Sequence, residues 1–390
     1  MKGRTEPTVA SQSKRYLIIL AIPIVFIIGC VEYIAALSGE SYSPQALSEM
    51  QKADPRLVIL TKQPYYTFKL ARYAQEKPEV VYIGTSRSVH VRSEMFKPYN
   101  FYNASLSAWN FTQLTQFLKL MLEVHHPQMI VFSLDYFMFS HDWVRGNRKY
   151  DDFTYHPGIK SHFQAIGSVL DLCKTSPKKI RALLPTLIAG EKPIEETDHM
   201  RLFGMHGIHN EAGMRYDGSF LFSKGQLQSA PKLTVTETLI QAMPGAAQMD
   251  PKEIEAMKEF AKLARDNGIT LVGIAMPLFK GSIDYMDTNK DYWKQAGVWR
   301  EFNSPESQQL FAENGIHFFN MARLKGNDDI RNFMDGYHPN ERGVLATFVE
   351  LSANPEFRSL FSKLEFDRIK KDYANALEND QLFEIYHDKF

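Results

Sequence analysis

The sequence predicts an α/β fold, a doubly wound and largely parallel sheet flanked by helices, together with an N-terminal transmembrane helix. Short apolar runs typical of buried strands alternate along the chain with segments of helical periodicity. One uncharged apolar segment lies close to the N-terminus. Ligands bind to doubly wound sheets beyond the carboxyl ends of the strands, so candidate functional residues are sought directly after each predicted strand.

Composition excludes several classes of protein. The chain has 390 residues, enough for one large domain or two ordinary ones, and its 44% apolar content excludes wholesale disorder. With 45 basic and 45 acidic side chains the formal net charge is zero, which argues against binding to nucleic acid. Two cysteines cannot form a disulfide scaffold or a paired CxxC metal or redox site.

The segment before residue 38 is typical of a membrane anchor. Residues 16–31 carry no charge, and extension to residue 37, with Glu32 near the interface, reaches the ~20 residues that a helical span needs. Residues 1–15 carry four basic side chains and one acidic side chain. Because a basic flank stays in the cytoplasm, we expect a single-pass protein of the bacterial cytoplasmic membrane whose main domain is periplasmic or extracellular.

Two other interpretations of this segment stay open. A cleaved signal peptide requires a small-residue site of the A-x-A type, and no such site follows the apolar run. Residues 27–30 resemble a bacterial lipobox, in which case Cys30 would become the lipidated N-terminus of a lipoprotein. We expect the uncleaved anchor and keep the lipoprotein as the alternative.

Strand and helix patterns follow the anchor in a regular order. The predicted strands cover 79–83, 101–103, 129–134, 269–276 and 316–320. The predicted helices between and after them cover 112–125, 250–267, 304–314 and 341–352. The alternation fades at about 140–248, where we predict an insertion without a clear core of its own and with helices near 161–173 and 178–188.

These patterns divide the chain into five segments. They are a basic N-terminus (1–15), the transmembrane anchor (16–37), a helical juxtamembrane linker (38–75), the α/β domain with its insertion (76–365) and a C-terminal helical tail (366–390). The linker is predicted to contain two helices, one capped by Ser43 and one starting near Tyr65. The tail is expected to be a solvated helix.

A Ser- and Thr-rich turn follows the first predicted strand. Ser86 stands two residues after Gly84, where a sharp turn would present its hydroxyl above the sheet as a nucleophile. Ser88 is the fallback nucleophile if the turn begins later. Arg87 could bind a phosphate or carboxylate of a substrate, or could form a surface ion pair. The alternative is that this segment is only a polar turn or an anion-binding nest.

A second polar loop follows the last predicted strand. Asp335 and His338 are three residues apart, so the carboxylate can hold one ring nitrogen of the histidine and leave the other free as a base. Asn340 can cap the helix that follows. Asp and His also occur by chance in polar turns, but here they complete the chain order Ser, Asp, His at one edge of the predicted sheet.

This order of residues resembles that of the SGNH (GDSL-like) hydrolase superfamily, whose three-layer fold is flavodoxin-like. Residues 84–86 take the place of the family's Gly-Asp-Ser block, and Asp335 with His338 matches its Asp-x-x-His block. The resemblance implies a catalytic triad of Ser86, Asp335 and His338, and it covers roughly residues 76–352 outside the insertion.

Two family blocks that supply the oxyanion hole differ here. The family glycine, which offers a backbone N–H, is replaced by Ser107, and that N–H would be retained. The family asparagine is replaced by Asp135, which cannot donate a hydrogen bond unless it is protonated. The resemblance therefore implies an oxyanion or substrate-binding region formed by Arg87, Ser107 and Asp135.

The sequence departs from the ordinary SGNH esterases in these two blocks and also has a membrane anchor. In both respects it is similar to membrane-anchored, extracytoplasmic SGNH-like proteins of bacteria. These include the DltD-type D-alanyl transfer proteins and the AlgJ/AlgX-type alginate acetylation proteins. The resemblance implies a serine acyltransferase or esterase that acts on acyl groups of an envelope glycopolymer. Its partners would be an acylated donor, a polysaccharide or teichoic-acid-like acceptor and a membrane-bound O-acyltransferase. The alternative is a catalytically silent scaffold that binds such a polymer or such an enzyme.

No cofactor and no metal are expected. His199, His206 and His209 lie close together in sequence and could in principle hold a metal, but no carboxylate or cysteine stands at a convincing ligand spacing. Histidines of polar loops are more often ordinary loop residues. The aromatic run 136–139 could stack on sugars, although Phe and Met in such a run are more often part of the core.

Overall fold

The computed structural model describes residues 9–148, 153, 159–196, 200–223, 245–290, 292 and 294–386. The strands are β1 (Leu57–Ile59), β2 (Val80–Gly84), β3 (Phe101–Ser105), β4 (Met129–Ser133), β5 (Ile194–Glu196), β6 (Arg201–Phe203), β7 (Gly213–Met214), β8 (Phe220–Leu221), β9 (Thr270–Ala275) and β10 (Ile316–Asn320). The helices before β5 are α1 (Val9–Leu37), α2 (Pro44–Ala53), α3 (Tyr65–Glu76), α4 (Phe111–Leu122), α5 (His141–Asn147), α6 (Ile159–Thr175) and α7 (Pro177–Ile188). The later helices are α8 (Met205–Asn210), α9 (Pro251–Asp266), α10 (Lys280–Thr288), α11 (Gly297–Phe302), α12 (Pro305–Glu313), α13 (Glu341–Leu351), α14 (Pro355–Leu360) and α15 (Phe366–Glu378).

The central sheet has five parallel strands in the order β10-β9-β4-β2-β3. Counted along the chain within this sheet, the order is 2-1-3-4-5, which is a doubly wound arrangement. The predicted parallel sheet flanked by helices is therefore confirmed. The strand order reverses between β2 and β4, so the loops after these two strands diverge and leave a crevice between them.

Both faces of this sheet are buried. Successive side chains of a strand point to opposite faces, so Val81 and Ile83 pack in one apolar cluster while Val80 and Tyr82 pack in another. The first cluster includes residues of α3, α4 and α9, and the second includes residues of α13, α14 and α15. Helices thus cover the sheet on both faces, and each face has its own apolar cluster.

A second, smaller sheet joins the linker to the insertion. Its order is β5-β6-β1-β7-β8, and β1 lies between the two predicted helices of the linker 38–75, where no strand was predicted. The insertion shares a small apolar cluster with the linker, in which Leu202 and Ile208 pack with Val58. Strands of two or three residues carry too little periodicity to be predicted.

The turn between β7 and β8 covers the edge strand β3. Asn103 N–H donates to Asp217 O at 2.9 Å, and buried Lys69 donates through Nζ to Asn103 O at 2.9 Å and also to Gly218 O. Gly218 has φ of +83°, and a Cβ there would lie 2.0 Å from Asn103 O, so only glycine fits. Burial lowers the pKa of Lys69 to about 7. The small sheet therefore protects an edge that would otherwise be open to pairing.

Helix α1 contains the candidate membrane span. Among the described residues, Tyr16–Leu37 is long and apolar enough to cross a membrane, with 22 residues and a mean hydropathy of 2.7. None of its most apolar window is buried against the rest of the protein. An apolar helix left uncovered in this way is consistent with single-pass anchoring.

The C-terminal tail is helical, as predicted, over α15. It is not simply solvated, because Phe366 and Ile369 are buried in the cluster that covers one face of the central sheet. The aromatic run 136–139 is likewise buried and belongs to the core on the other face. Residues 387–390 lie outside the described residues.

Candidate active site

Three side chains from distant parts of the chain form a hydrogen-bonded series beyond the carboxyl edge of the central sheet. Ser86 Oγ lies 2.9 Å from His338 Nε2, and His338 Nδ1 lies 2.8 Å from Asp335 Oδ2. All three residues are partly exposed, and the side chains of His338 and Asp335 retain 32% and 22% of their accessible surface. The predicted proximity of these residues is confirmed, and solvent can reach them.

The turn that presents Ser86 depends on Gly84. This glycine ends β2 with φ of +125°, and a Cβ there would approach the backbone nitrogen of Ser133 to 3.2 Å. Residues 86–88 then form a short 3₁₀ turn, in which Thr85 Oγ1 accepts a hydrogen bond from Arg87 N–H at 3.3 Å. The chain thereby turns sharply enough to leave the Ser86 hydroxyl at the surface.

The loop that carries the acid and the base is fixed by its own hydrogen bonds. Asp335 Oδ1 accepts from the N–H of Tyr337 at 2.7 Å and from the N–H of His338 at 2.8 Å. Asn340 caps α13, as predicted, by accepting from Gly343 N–H at 3.0 Å, and caps of this kind are worth about 1 kcal/mol. The carboxylate therefore orients both the ring of His338 and the backbone that carries it.

The protonation state of Asp335 follows from these contacts. Burial raises the pKa of this carboxyl, but the hydrogen bond and charge of His338, together with two backbone N–H groups, outweigh burial and bring the pKa down to about 2. Asp335 is thus ionised at neutral pH and can only accept. His338 Nδ1 must carry the proton of their hydrogen bond, so that in the neutral imidazole the lone pair lies on Nε2, toward Ser86.

Arg87 lies beneath this exposed series and is not available to a substrate. Its side chain is 2% exposed and forms a buried ion pair with Asp135. It also donates through Nε to Tyr337 O at 3.0 Å and through Nη2 to Met276 O and Pro277 O at 2.5 and 2.8 Å. The expectation that Arg87 binds substrate or forms a surface ion pair was therefore wrong, because its donors are occupied inside the protein.

Asp135 is also closed to substrate in this structure. One carboxylate oxygen pairs with Arg87, and the other accepts from Thr85 Oγ1 at 3.2 Å. Burial raises the pKa of Asp135, although the nearby guanidinium opposes this effect. Asp135 thus binds a protein cation, and its expected assignment to the oxyanion or substrate-binding region is corrected accordingly.

Ser88 is excluded as the fallback nucleophile. It is fully buried, and its Oγ lies 2.7 Å from Ser105 Oγ and 3.0 Å from Ser133 Oγ. These three hydroxyls satisfy one another beneath the turn. Because residues 86–88 are helical, the side chains of Ser86 and Ser88 leave the turn in different directions, and only Ser86 is exposed.

Backbone N–H groups after β2 and β3 remain available as oxyanion donors. In the described part of the chain, those of Ser86 and Ser107 donate to no acceptor, whereas the N–H of Arg87 is taken by Thr85. Leu106, just before Ser107, has φ of +67°, a conformation costly for a branched side chain. Strain of this kind concentrates at functional sites, which favours Ser107 as the predicted donor.

The loop histidines do not form a metal site in the described residues. No group of three or more His, Cys, Asp or Glu side chains there is arranged to hold a metal ion. His206 and His209 instead bond to Ser168 and Ser176, at 3.3 and 2.5 Å. Burial lowers the pKa of His206 to about 4. His199 lies outside the described residues.

Sequence reasoning missed the parts played by Thr85 and by the backbone of Tyr337. Thr85 binds both Asp135 and the N–H of Arg87, and Tyr337 O accepts from Arg87 Nε. A threonine next to a serine gives no sign of burial, and a carbonyl oxygen carries no sequence signal. These contacts connect the two loops of the site from below.

Comparisons with known proteins add no family to this description. No family model matches the chain, and no curated protein or solved structure was found to match it. The resemblance to SGNH hydrolases therefore rests on the residues of this chain alone: the serine after the first strand of the central sheet and the Asp-x-x-His loop after the last.

Proposed function

We propose that the protein is a membrane-anchored, extracytoplasmic serine acyltransferase or esterase that acts on acyl groups of a bacterial envelope glycopolymer. The observation that carries this proposal is the hydrogen-bonded series Ser86, His338, Asp335, exposed at the carboxyl edge of a parallel sheet. A serine, a base and an orienting acid in mutual contact form the arrangement that activates a hydroxyl for acyl transfer.

In the first half of the reaction, Ser86 Oγ attacks the carbonyl carbon of an acylated donor, and its proton passes to His338 Nε2. Asp335 stabilises the imidazolium through the hydrogen bond to Nδ1. The bond between the acyl carbon and the leaving alcohol or thiol then breaks, and His338 returns the proton to the leaving group. An ester of Ser86 remains.

In the second half, the acceptor resolves this ester. A hydroxyl of the polymer, or water, loses its proton to His338 Nε2 as it attacks the acyl carbon, and Ser86 recovers the proton when its own ester bond breaks. A polymer hydroxyl makes the protein a transferase, and water makes it an esterase. The free N–H groups of Ser86 and Ser107 would stabilise the oxyanion in both halves.

The apolar helix at the N-terminus supports the cellular setting of the proposal. Tyr16–Leu37 would hold the domain at the cytoplasmic membrane with the basic residues 1–15 inside, or lipid on Cys30 would do so instead. Either arrangement places the site outside the cytoplasm, within reach of envelope polymers and of a membrane-bound O-acyltransferase. Neither requires a cofactor.

A second candidate function is a catalytically silent scaffold of the same fold. The observation that favours it is the ion pair of Asp135 with Arg87, since a paired carboxylate cannot supply the side-chain donor of an oxyanion hole. Loss of one such donor costs about 10²–10³-fold in rate, which leaves room for slower catalysis by the remaining groups. We therefore rank the enzyme first.

The test is turnover of activated esters by the full-length chain in detergent micelles. With 4-nitrophenyl acetate and butyrate we expect a burst of about one 4-nitrophenol per protein as the ester of Ser86 forms. Ser86→Ala should abolish the burst, and Ser88→Ala, the matched control from the same turn, should retain it. Equal turnover by the Ser86→Ala protein would contradict the proposal, and absence of a burst in every protein would favour the scaffold.

A further inference from the structure

A cleft lies where the small sheet meets the segments that carry the candidate triad. The residues that line it come from the linker, the insertion and the segment after Ser86; they are Pro55, Arg56, Val58, Arg92, Met200, Arg215, Tyr216 and Asp217. Three of these side chains are cationic and one is anionic.

Arg92 and Asp217 neutralise each other and form the floor of the cleft. Arg92 Nε donates to Asp217 Oδ2 at 2.7 Å, and Arg92 Nη1 donates to Glu341 Oε1 at 3.1 Å. Asp217 also accepts from Ser219 and from the N–H of Ser93. These contacts lower the pKa of Asp217 despite its burial, so its charge is present but fully compensated.

Arg215 differs because its guanidinium forms no direct ion pair with the neighbouring carboxylates. It is 6% exposed, yet no carboxylate lies within ion-pair distance of it in the part of the chain that the structure describes. Its Nη1 donates only to Phe220 O at 3.0 Å and to Ser219 Oγ at 3.4 Å, and its Nε is buried without a partner. Burial and the charge of Arg92 lower its pKa to about 10, although the charges of Glu341, Asp217 and Glu384 oppose this effect, so it remains charged at neutral pH.

A buried guanidinium that no carboxylate contacts directly is costly, and an anion from outside would supply that contact. We propose that this cleft binds a phosphate or carboxylate group carried by the acceptor chain, with Arg215 as the principal contact and Arg56 at the exposed rim. A guanidinium fork suits both groups because it can donate two parallel hydrogen bonds. That the bound chain is the acyl acceptor rests on the proposed function. The binding of an anionic group by Arg215 does not depend on it.

The position of the cleft fits a chain that continues to the triad. Arg92 follows Ser86 in the same loop, and Glu341, which holds Arg92, follows His338 at the start of α13. Phe220 N–H donates to Val89 O at 2.9 Å, which ties the insertion to the loop after Ser86. Tyr216 and Met200 add apolar wall on which part of a sugar ring could pack.

Binding can be measured without turnover. The full-length Ser86→Ala protein in detergent would be titrated calorimetrically with trigalacturonic acid, with a glycerol phosphate oligomer and with maltotriose, which are carboxylate, phosphate and neutral probes. We expect one or both anionic oligomers to bind and maltotriose not to bind. Which of the two anions binds more tightly identifies the charged group. Because Ser86 is absent, the result is independent of whether the protein is an enzyme.

Two variants on that background locate the site. Arg215→Gln should weaken binding about 10-fold to 100-fold, since it removes a charged donor while retaining a polar side chain. Arg145→Gln, which removes an exposed arginine that pairs with Asp142 at 3.3 Å, should leave the affinity within about 2-fold. If Arg215→Gln does not fold, as judged by circular dichroism, Arg56→Gln should still weaken binding about 3-fold.

Three results would overturn the proposal. They are no binding of either anionic oligomer, equal binding of maltotriose, and unchanged affinity in the arginine variants of the cleft.

Discussion

Two adjacent residues of one turn, Ser86 and Arg87, belong to two different layers of the site. The upper layer, Ser86 with His338 and Asp335, is partly exposed, and its hydrogen bonds leave Ser86 Oγ open to a ligand. The lower layer, Arg87 with Asp135, is buried, and its polar atoms are engaged within the protein. The proposed reaction uses the upper layer, and the lower layer lies buried beneath it.

The difference shows how the site is positioned. Arg87 belongs to the loop after β2, yet it holds the loop of His338 through Tyr337 O and the end of β4 through Asp135. Charged hydrogen bonds of this kind are stronger than neutral ones, and burial removes competition from water. We infer that the lower layer fixes the distance between the nucleophile and the base. The same residues therefore cannot also serve the substrate.

The largest effect is expected from the upper layer. Asp335→Asn keeps the shape of the side chain but lets His338 adopt the wrong tautomer, so the burst rate with 4-nitrophenyl acetate should fall about 10³–10⁴-fold. Stability at neutral pH should fall by about 2 kcal/mol at most, because the residue is partly exposed. A stopped-flow burst with a wild-type rate in this variant would show that Asp335 does not orient the base.

A change in the lower layer should act on stability first. Arg87→Met removes the charge that pairs with buried Asp135 and several hydrogen bonds to carbonyl oxygens, so the free energy of unfolding should fall by about 3–5 kcal/mol. Ser86→Ala, one residue away, should change it by less than about 1 kcal/mol. Urea unfolding of both proteins measures the contrast. If both variants lost the same unfolding free energy, the distinction between the two layers would be wrong.

Asp135→Asn sharpens the comparison, because asparagine is the residue that the proposed resemblance to SGNH hydrolases implies at this position. We expect it to cost about 2–3 kcal/mol of stability, since Arg87 loses its counter-charge while keeping a hydrogen-bond acceptor. The burst rate should not rise, because the new amide would be held by Arg87 rather than directed to a substrate. A rate increase without loss of stability would mean that position 135 faces the reacting group after all.

The smallest expected effect is the pH dependence contributed by Asp335. Its pKa is lowered from 3.8 to about 2 in the folded protein, so its stabilising contribution of about 2 kcal/mol is present above about pH 4 and is lost as the pH falls toward 2. The difference in unfolding free energy between the wild type and Asp335→Asn should shrink as the pH falls below about 4. A difference that persists unchanged at pH 2–3 would contradict the low pKa.

Much of the central sheet could be predicted from the sequence because its strands are buried on both faces. Each predicted strand of that sheet lies within two residues of the observed one, and the polar loops after the first and last strands contain the triad. Buried parallel strands are continuous apolar runs bounded by turn residues, and such runs are easy to find. The position of Ser86, Asp335 and His338 follows from that pattern.

The lower layer and the cleft could not be predicted, because their contacts join residues far apart in the chain. Arg92 is 125 residues from Asp217 and 249 residues from Glu341. Nothing local distinguishes buried Arg87 from an exposed arginine of a polar turn. The small sheet escaped prediction for a related reason: β1 has three residues and pairs with strands of the insertion.

The measurement that tests the central claim most directly is fluorophosphonate labelling of the full-length protein, read by intact mass. The account predicts one adduct on the wild type, none on Ser86→Ala or His338→Ala, and one on Ser88→Ala, because Ser86 is hydrogen-bonded to a histidine that Asp335 orients, whereas Ser88 bonds to buried hydroxyls. An adduct of equal yield on the Ser86→Ala protein, or no adduct on the wild type, would contradict the claim that this turn presents an activated nucleophile.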